Sequence, residues 1–566
     1  MEPTNRRETG TRPSAMKRYG PFIAIVVVIV SVLLGFKLFG GGSDKKAKKA
    51  SDSNGKISTA GGPVTINDSN RNSIDWGPNC DVERGKVKIP YTYAAPCVKP
   101  FTGNNGGATA DGVTATSIKI VAYIVDPAKN PLQAASVKGA GADVSPTTAK
   151  ETYQGYIDLF SKYYELYGRK IDLQFFDGTG GPMDEVAARA DAKAIADLHP
   201  FAVLNGANQT PAWSDELAAN HILCLGNCSL AVPEQFVSSH SPYIWSNGPT
   251  PEQAAQLTSA LVTKLLKGKK AEFAGDALKD KPRVFGVVHY DTIDGQQTAA
   301  FAKLKQELTA GGIKIAADLP FLLDLAKAQE NARTEIAKLK EAGVTSVIFT
   351  GDPLTPSSLT KEATAQNYFP EWIIGSNVLV DIALFGRTYD QQQWQHAFGL
   401  ALTPDRTNQD ARESYNLYKW QYGTKPPNNT YGVLFVDPAT LFTGLQLAGP
   451  DLTPATFAAS MFRTPVGGNT PISPTVSRGH HGLWPGTDWG GGDDAGILWW
   501  NPAAEGEDEV GTVGKGLYEY TAMGKRYTLA KMPTKDPGLF DKSTSVTIFD
   551  TIPPAYAPPD YPSPAK

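Results

Sequence analysis

The run NGANQTP, from Asn205 to Pro211, has the residue types of an anion-binding turn. It lies between a predicted buried strand and a predicted helix, in which Thr210 is the N-cap and Pro211 the first helical residue. The first N–H groups of a helix have no partners within the helix and lie at the positive end of its dipole. This loop is therefore a candidate site for an anionic group. The alternative is that Asn208 and Thr210 only cap the helix.

Catalytic and metal-binding motifs do not occur in a suitable context. We find no G-x-S-x-G, P-loop or H-E-x-x-H motif, and no G-x-G-x-x-G after a strand. His480 and His481 lie in a Gly/Pro-rich stretch without further ligands at suitable spacing. The segment DWGGGDDAG, from Asp488 to Gly496, is rich in oxygen ligands but lacks the spacing of a calcium loop. We expect neither an enzyme nor a bound cofactor or metal.

An uncharged apolar run, PFIAIVVVIVSVLLGF, begins at Pro21 and ends at Phe36. With its flanking residues it reaches about 20 residues, enough for one helix across a bilayer. The alternative is a cleaved signal peptide, but the run exceeds the usual apolar region of one, and GGGS follows it rather than a small-residue cleavage site. We expect an uncleaved single-pass anchor in the cell membrane. Positive charges on both sides of the run are nearly balanced and do not decide its orientation.

All four cysteines follow the apolar run: Cys80, Cys97, Cys224 and Cys228. The first two flank a predicted strand pair, and a bond between them would stabilise the fold by ~3 kcal/mol in the chain-entropy model. The last two could close a tight loop. We expect two disulfides, with buried free thiols as the alternative. Disulfides indicate an oxidising compartment, so the bulk of the chain is expected outside the cytoplasm.

Predicted strands and helices alternate in two successive series, which indicates two α/β lobes with parallel sheets, each Rossmann-like. The net charge is −3, from 54 basic and 57 acidic residues, and no basic patch occurs, so nucleic acid is not an expected partner. The predicted organisation is a cytoplasmic stub (1–19), a transmembrane anchor (20–39), a flexible tether (40–75), a disulfide-braced extension (76–112), lobe 1 (113–250 and 399–475), lobe 2 (251–398 and 476–535) and a Pro-rich tail (536–566).

Four stretches resemble one family in order and spacing. They are GVTATSIKI, from Gly112, PFAVLNGANQTPAWSDELAANHILCLGNCSL, from Pro200, RVFGVVHYDTIDGQQTAAF, from Arg283, and VTSVIFTGDPLTPSSL, from Val344. The chain resembles the type I periplasmic substrate-binding proteins of the branched-chain amino acid type, which feed ABC importers. The segment from Asp493 to Tyr527 is similar to a C-terminal extension of actinobacterial members.

The resemblance implies a solute site in the cleft between the lobes. In that family, loops after the third and fourth strands of the first lobe hold the carboxylate of an amino acid. The matching residues here are Asn208 and Gln209 in the first loop, and Asn227 and Ser229 in the second. The alternative for the second loop is a disulfide-braced turn.

The second lobe departs from the family pattern. Amino acid binders pair the ligand ammonium with a carboxylate in a Gly-x-Glu-Gly-like turn, where this chain has Asn377, which carries no charge. Asp291, Asp294 and Asp352 could supply charge from other loops or be ordinary turn residues. Tyr290 could stack on an apolar ligand body or pack in the core. The expected solute is anionic or polar without an α-ammonium, or amino acid-like.

The sequence therefore predicts a membrane-tethered, extracytoplasmic solute-binding protein that delivers its solute to an ABC permease. A non-transport envelope or sensor protein that reuses this fold is the alternative.

Overall fold

A computed structural model provides the structure. It describes residues 61–68, 71–129, 143–181, 184–207, 210–228, 232–291, 297–322, 327–377, 379–408, 411–509, 512–549 and 551–565. The predicted stub, the transmembrane anchor and most of the tether lie outside these residues. Among the helices that the structure does describe, none has both the length and the apolar character that a membrane crossing needs.

Strands and helices alternate along most of the described chain. The strands are β1 (Cys80–Asp81), β2 (Lys86–Val87), β3 (Ser117–Ile124), β4 (Lys170–Asp177), β5 (Ala202–Leu204), β6 (Leu223–Leu225), β7 (Ile244–Trp245), β8 (Phe285–Tyr290), β9 (Ile315–Phe321), β10 (Ser346–Gly351), β11 (Glu371–Asn377), β12 (Ala397–Ala401), β13 (Asp494–Glu507), β14 (Val513–Tyr520) and β15 (Arg526–Thr528). The α-helices are α1 (Pro146–Tyr163), α2 (Glu185–Ala196), α3 (Pro211–Ala219), α4 (Glu234–Ser239), α5 (Pro251–Leu261), α6 (Thr298–Ala310), α7 (Ala328–Glu341), α8 (Thr355–Ala365), α9 (Ala383–Gly386), α10 (Gln391–Trp394), α11 (Glu413–Tyr422), α12 (Tyr431–Ala448), α13 (Pro454–Arg463) and α14 (Thr521–Gly524).

Four helices begin at the same local signal, a hydroxyl N-cap followed by proline. In each, the hydroxyl oxygen accepts a hydrogen bond from a backbone N–H in the first turn. Proline suits the next position because a helix needs no N–H there. The caps are Ser145 of α1, Thr210 of α3, Thr250 of α5 and Thr453 of α13.

Lobe 1 is built on a parallel sheet with the strand order β4-β3-β5-β6-β7. Its strand β3 is almost wholly buried, as expected when helices cover both faces of a parallel sheet. Lobe 2 contains a larger sheet in the order β9-β8-β10-β11-β12-β13-β14, with β15 also paired to β13. This sheet is parallel up to β12, and β13 and β14 are antiparallel to their neighbours. The mixed α/β fold that the sequence predicts is confirmed.

Helices α11 to α13 pack on lobe 1 although lobe 2 elements precede and follow them. Phe435 and Phe442 of α12 lie against Phe160 of α1, with ring centroids 5.8 and 5.5 Å apart. Tyr156 of α1 contacts Phe435 at 5.1 Å. The chain therefore passes between the lobes three times, at residues 246–250, 402–412 and 464–493.

Two details differ from the sequence-based description. The return to lobe 1 was predicted at residue 399, but β12 continues to Ala401 in the second sheet, where Gly399 pairs with Ile374. The strand is apolar throughout and contains no boundary signal before its end. The segment predicted as a separate Pro-rich tail contributes to the core of lobe 2, where Phe540 packs against Phe273 and Trp499. Isolated aromatic anchors of this kind leave no periodic pattern in the sequence.

Both predicted disulfides are present. Cys80 is bonded to Cys97 and Cys224 to Cys228, so no cysteine is free. The first bond braces the β1–β2 hairpin, and Cys97 packs with Ile66 and Trp76 in a small core of its own. The second closes the end of β6.

We expect the two bonds to differ in their contribution to stability. The Cys80–Cys97 bond spans 17 residues of sequence and the other spans four. In the chain-entropy model these spans correspond to about 3 and about 2 kcal/mol. The C80S/C97S variant should therefore lose more unfolding free energy than the C224S/C228S variant, measured by urea denaturation of residues 72–566. The reverse order would show that packing around the bonds, and not loop closure, sets their contribution.

Candidate functional site

The polar loops of both lobes lie at the carboxyl ends of parallel strands, where open α/β sheets bind ligands. In lobe 1 the adjacent strands β5 and β6 lead into Asn205 and Gly226. In lobe 2 the adjacent strands β8, β10 and β11 lead into Asp291, Asp352 and Asn377. The described strand ends thus place Asp291, Asp352 and Asn377 at neighbouring strands of lobe 2, and the two candidate loops of lobe 1 begin at neighbouring strands.

The structure describes the side chains of only some of the sequence-predicted site residues. Asn208, Gln209, Ser229 and Asp294 lie outside the described residues. For Asn227 and Asn377 only the backbone is described: Asn227 lies in the turn Gly226–Cys228, and Asn377 ends β11 beside Gly351 of β10. Their proposed contacts with a solute stay predictions.

The N-cap side chain of α3 is hydrogen-bonded to the first turn of its own helix. The hydroxyl oxygen of Thr210 accepts a hydrogen bond from the N–H of Ala212 at 3.2 Å. For Thr210, therefore, the capping interpretation of the loop is correct. Proline at position 211 has no N–H, so the first helical turn offers fewer donors to an anion than an ordinary helix start.

A buried carboxylate that the sequence analysis did not select lies beneath both lobe 1 loops. Asp437 of α12 is fully buried and accepts a hydrogen bond from the N–H of Asn205 at 2.9 Å. Its other oxygen lies so close to Gly226 that a Cβ on this glycine would overlap it. The side-chain amide of Asn247, which follows β7, lies against the same position. The sequence does contain a signal for Asp437, because it is the one acid in the apolar run VLFVDPATLF. An acid is rarely fully buried unless it has a partner.

Aromatic residues near the lobe 1 strand ends belong to the core. The Tyr123 hydroxyl donates to Asp191 at 2.9 Å, and its ring contacts Trp213 at a centroid distance of 4.7 Å. The Trp213 indole N–H points at the Cys228 sulfur. Both rings are almost fully buried, which leaves no face for a ligand to stack on.

Tyr290 is the aromatic candidate that remains accessible. It ends β8, is partly exposed, and lies against Phe321 of β9 with ring centroids 5.8 Å apart. Gly351 packs between these two side chains, where any larger residue would collide with them. Leu379, just after β11, is 43% exposed and has a φ of +59°, an unusual backbone for leucine. The lobe 2 edge therefore combines apolar side chains with a few polar ones.

The candidate carboxylates of lobe 2 have local partners. Asp352 accepts hydrogen bonds from the N–H groups of Leu354 and Thr355 and from the Thr355 hydroxyl, which is the arrangement of a turn that starts α8. Asp291 accepts from the Thr298 hydroxyl at 3.1 Å, and its N–H donates to a carbonyl of β9. For Asp352 this is the bonding of an ordinary turn residue.

The acidic segment near residue 490 belongs to the connection between the lobes. Asp488 accepts from the Gln253 side chain at 2.7 Å, and Asp493 accepts from Ser477 and from the Trp484 indole. Burial, followed by the nearby Asp493 carboxylate, raises the pKa of Asp488 to about 8. Within the part of the chain that the structure describes, no three His, Cys, Asp or Glu side chains are arranged to hold a metal ion.

A parallel sheet and a mixed sheet, each with polar loops at the carboxyl ends of its parallel strands, and three chain crossings define a two-lobed α/β fold. Residues 134–485 match the profile of the periplasmic binding protein family. The chain belongs to this family. A search of curated protein sequences finds no match.

Several solved structures are similar to the chain. The leucine-, isoleucine-, valine-, threonine- and alanine-binding protein of Brucella ovis, in a closed conformation, aligns over 77% of this chain and 99% of its own length, with 14% identity and a TM-score of 0.50. A fatty acid ABC transporter substrate-binding protein of Thermomonospora curvata covers 76% and 99%, with 14% identity and a TM-score of 0.48. At these identities the similarity shows the fold alone.

The raised pKa of Asp488 predicts how stability depends on pH. Below about pH 8 its carboxyl is neutral in the folded protein, whereas it ionises near pH 4 in the unfolded chain, so the stability it contributes is lost as pH rises from about 4 to about 8, at about 1.4 kcal/mol per pH unit. Asp488→Asn mimics the neutral acid. Relative to wild type, its melting temperature should rise steadily between pH 5 and pH 8.5, measured by calorimetry.

The control is Asp172→Asn, which changes an exposed acid on β4. Its melting temperature should track that of wild type at every pH. A constant difference between Asp488→Asn and wild type across this range would contradict the assignment of a neutral Asp488.

Proposed function

We propose that this protein is a membrane-tethered, extracytoplasmic solute-binding protein that captures a small solute between its lobes and delivers it to an ABC importer. The observation that carries the proposal is the polar loops at the carboxyl ends of the parallel strands in both sheets, in a chain of the periplasmic binding protein family. Three chain segments that connect the lobes suit closure around a ligand.

The chemistry of the lobe 2 loops supports a solute without an α-ammonium. The turn Gly375-Ser376-Asn377 contains no charged side chain. Asp352 is bonded to the start of α8, and Asp291 to the start of α6. Asp437 is fully buried and is bonded to the Asn205 N–H. Each described candidate carboxylate therefore already has a partner within the fold, whereas a polar or anionic solute needs no carboxylate.

Two disulfides support the proposed location. Bonds such as Cys80–Cys97 form and persist outside the reducing cytoplasm. Together with the apolar run from Pro21 to Phe36, they favour a chain that is held at the cell membrane with its two lobes on the outer side. A tether of some tens of residues would let these lobes reach a permease in the same membrane.

We expect leucine, isoleucine and valine to bind weakly or not at all. An ammonium buried without its partner costs ~3–5 kcal/mol, which weakens binding by about two to four orders of magnitude. 4-Methylpentanoate, which is leucine without its ammonium, should bind more tightly to residues 72–566. Isothermal titration calorimetry with the matched pair measures this difference directly.

Tight leucine binding would refute the proposed solute class. In that event Asp291→Asn, Asp294→Asn and Asp352→Asn should be compared, because the variant that loses leucine affinity identifies the substitute carboxylate. If neither compound binds, a thermal-shift screen with organic and aromatic acids follows, and failure of every acid would refute a polar or anionic solute.

The membrane anchor gives a further prediction. An uncleaved helix at residues 20–39 keeps the N-terminus and requires detergent for extraction from the membrane fraction. N-terminal sequencing and fractionation of the full-length protein test this. A mature N-terminus beyond Phe39, with the protein free in the medium, would contradict the anchor.

A further inference from the structure

The ends of three successive lobe 1 strands meet at one buried side chain. Asn205 follows β5, Gly226 follows β6, and Asn247 lies two residues after β7. Each of these residues borders Asp437, which enters from α12. Asp437 is fully buried, so it contacts the loop starts from the protein interior and does not face the solvent.

The contacts explain two unusual backbone conformations. Asn205 has a φ of +59° and Gly226 a φ of +64°, both in the left-handed region. The Asn205 N–H is held by Asp437 at 2.9 Å, and the Asn205 side chain donates to the Tyr123 carbonyl at 3.1 Å. A non-glycine residue in this region is disfavoured unless its surroundings hold it there. Asp437 supplies one of those restraints.

Gly226 is required by the same carboxylate. A Cβ at this position would overlap an Asp437 oxygen and the Asn247 amide nitrogen. The carboxylate therefore sits directly against the backbone of the turn Gly226–Cys228. The next turn of α12 reinforces the arrangement, because the Thr440 hydroxyl donates to the Asn247 side-chain oxygen at 3.0 Å.

We infer that Asp437 is the positioning residue for Asn205 and Gly226, which lie at the carboxyl ends of β5 and β6, where the lobe 1 loops of the proposed solute site begin. Its carboxylate holds Asn205 and Gly226, the residues at which the two lobe 1 loops begin. The packing of α12 on lobe 1 fixes the position of the carboxylate. The inference rests on the proposed function in so far as these loops hold the solute. Its structural part, the restraint on the loop starts, can be tested without any ligand.

Hydrogen–deuterium exchange of the full-length protein in detergent tests the restraint. Asp437→Ala should speed amide exchange in peptides covering residues 205–207 and 226–228 at least tenfold and leave β3 unchanged. Asp437→Asn keeps an oxygen that can accept from Asn205, so exchange there should stay within about threefold of wild type. Glu371→Gln changes a fully buried carboxylate at the amino end of β11 in lobe 2, where it pairs with Arg283 at 2.8 Å, and is the control for the loss of a buried carboxylate outside lobe 1.

Binding is measured on the same variants with 4-methylpentanoate. We expect at least a tenfold loss of affinity in Asp437→Ala, a smaller loss in Asp437→Asn, and wild-type affinity in Glu371→Gln. If Asp437→Ala does not fold, Gly226→Ala disturbs the same contact from the other side and should show the same local exchange.

The possible outcomes separate the two proposals. Unchanged exchange at both loop starts, or faster exchange throughout lobe 1, would overturn the role of Asp437. Faster local exchange with no 4-methylpentanoate binding to wild type would support the positioning role and count against the proposed solute class. Faster local exchange with unchanged affinity would show that these loops do not hold the solute, and would overturn the inference.

Discussion

Packing of α12 against α1 is the interaction on which the rest of the structure depends. Phe435 and Phe442 insert next to Tyr156 and Phe160, and these rings belong to one continuous core in lobe 1. Burial of aromatic side chains on this scale contributes several kcal/mol. Because α12 comes from the second half of the chain, its return to lobe 1 forces the three crossings and places Asp437 under the strand ends.

The crossings are stabilised by buried polar groups. Arg526 of β15 binds Asp494 at 2.7 Å and lies near Asp405, and all three side chains are almost fully buried. Arg478 bonds to Ser246 in the first crossing. Loss of one partner from a buried pair typically costs 3–5 kcal/mol, whereas an apolar replacement of the pair is often tolerated. These buried groups are therefore more costly to disrupt singly than their net contribution to stability suggests.

Segments from both ends of the described chain cover the returning helices. The Gln446 side chain of α12 donates to the Pro96 carbonyl at 2.6 Å, next to the Cys80–Cys97 bond. At the other end, the Tyr561 hydroxyl donates to Asp81 at 2.6 Å, and the Trp420 indole donates to the Tyr561 carbonyl at 2.9 Å. The N-terminal extension and the C-terminal tail therefore pack on α11 and α12, the helices that return to lobe 1.

The sequence by itself determined what depends on local pattern and spacing. Alternating strands and helices, the N-cap at Thr210 and the two disulfides could all be predicted, because each depends on neighbouring residues or on short loops. Tertiary structure alone decided which acids are hydrogen-bonded within the fold. Asp352 resembles a ligand in the sequence but is bonded to its own helix start, and Asp437 lies 232 residues from the N–H that it accepts. No local signal encodes a contact of that separation, because only the packing of α12 on α1 brings the two groups together.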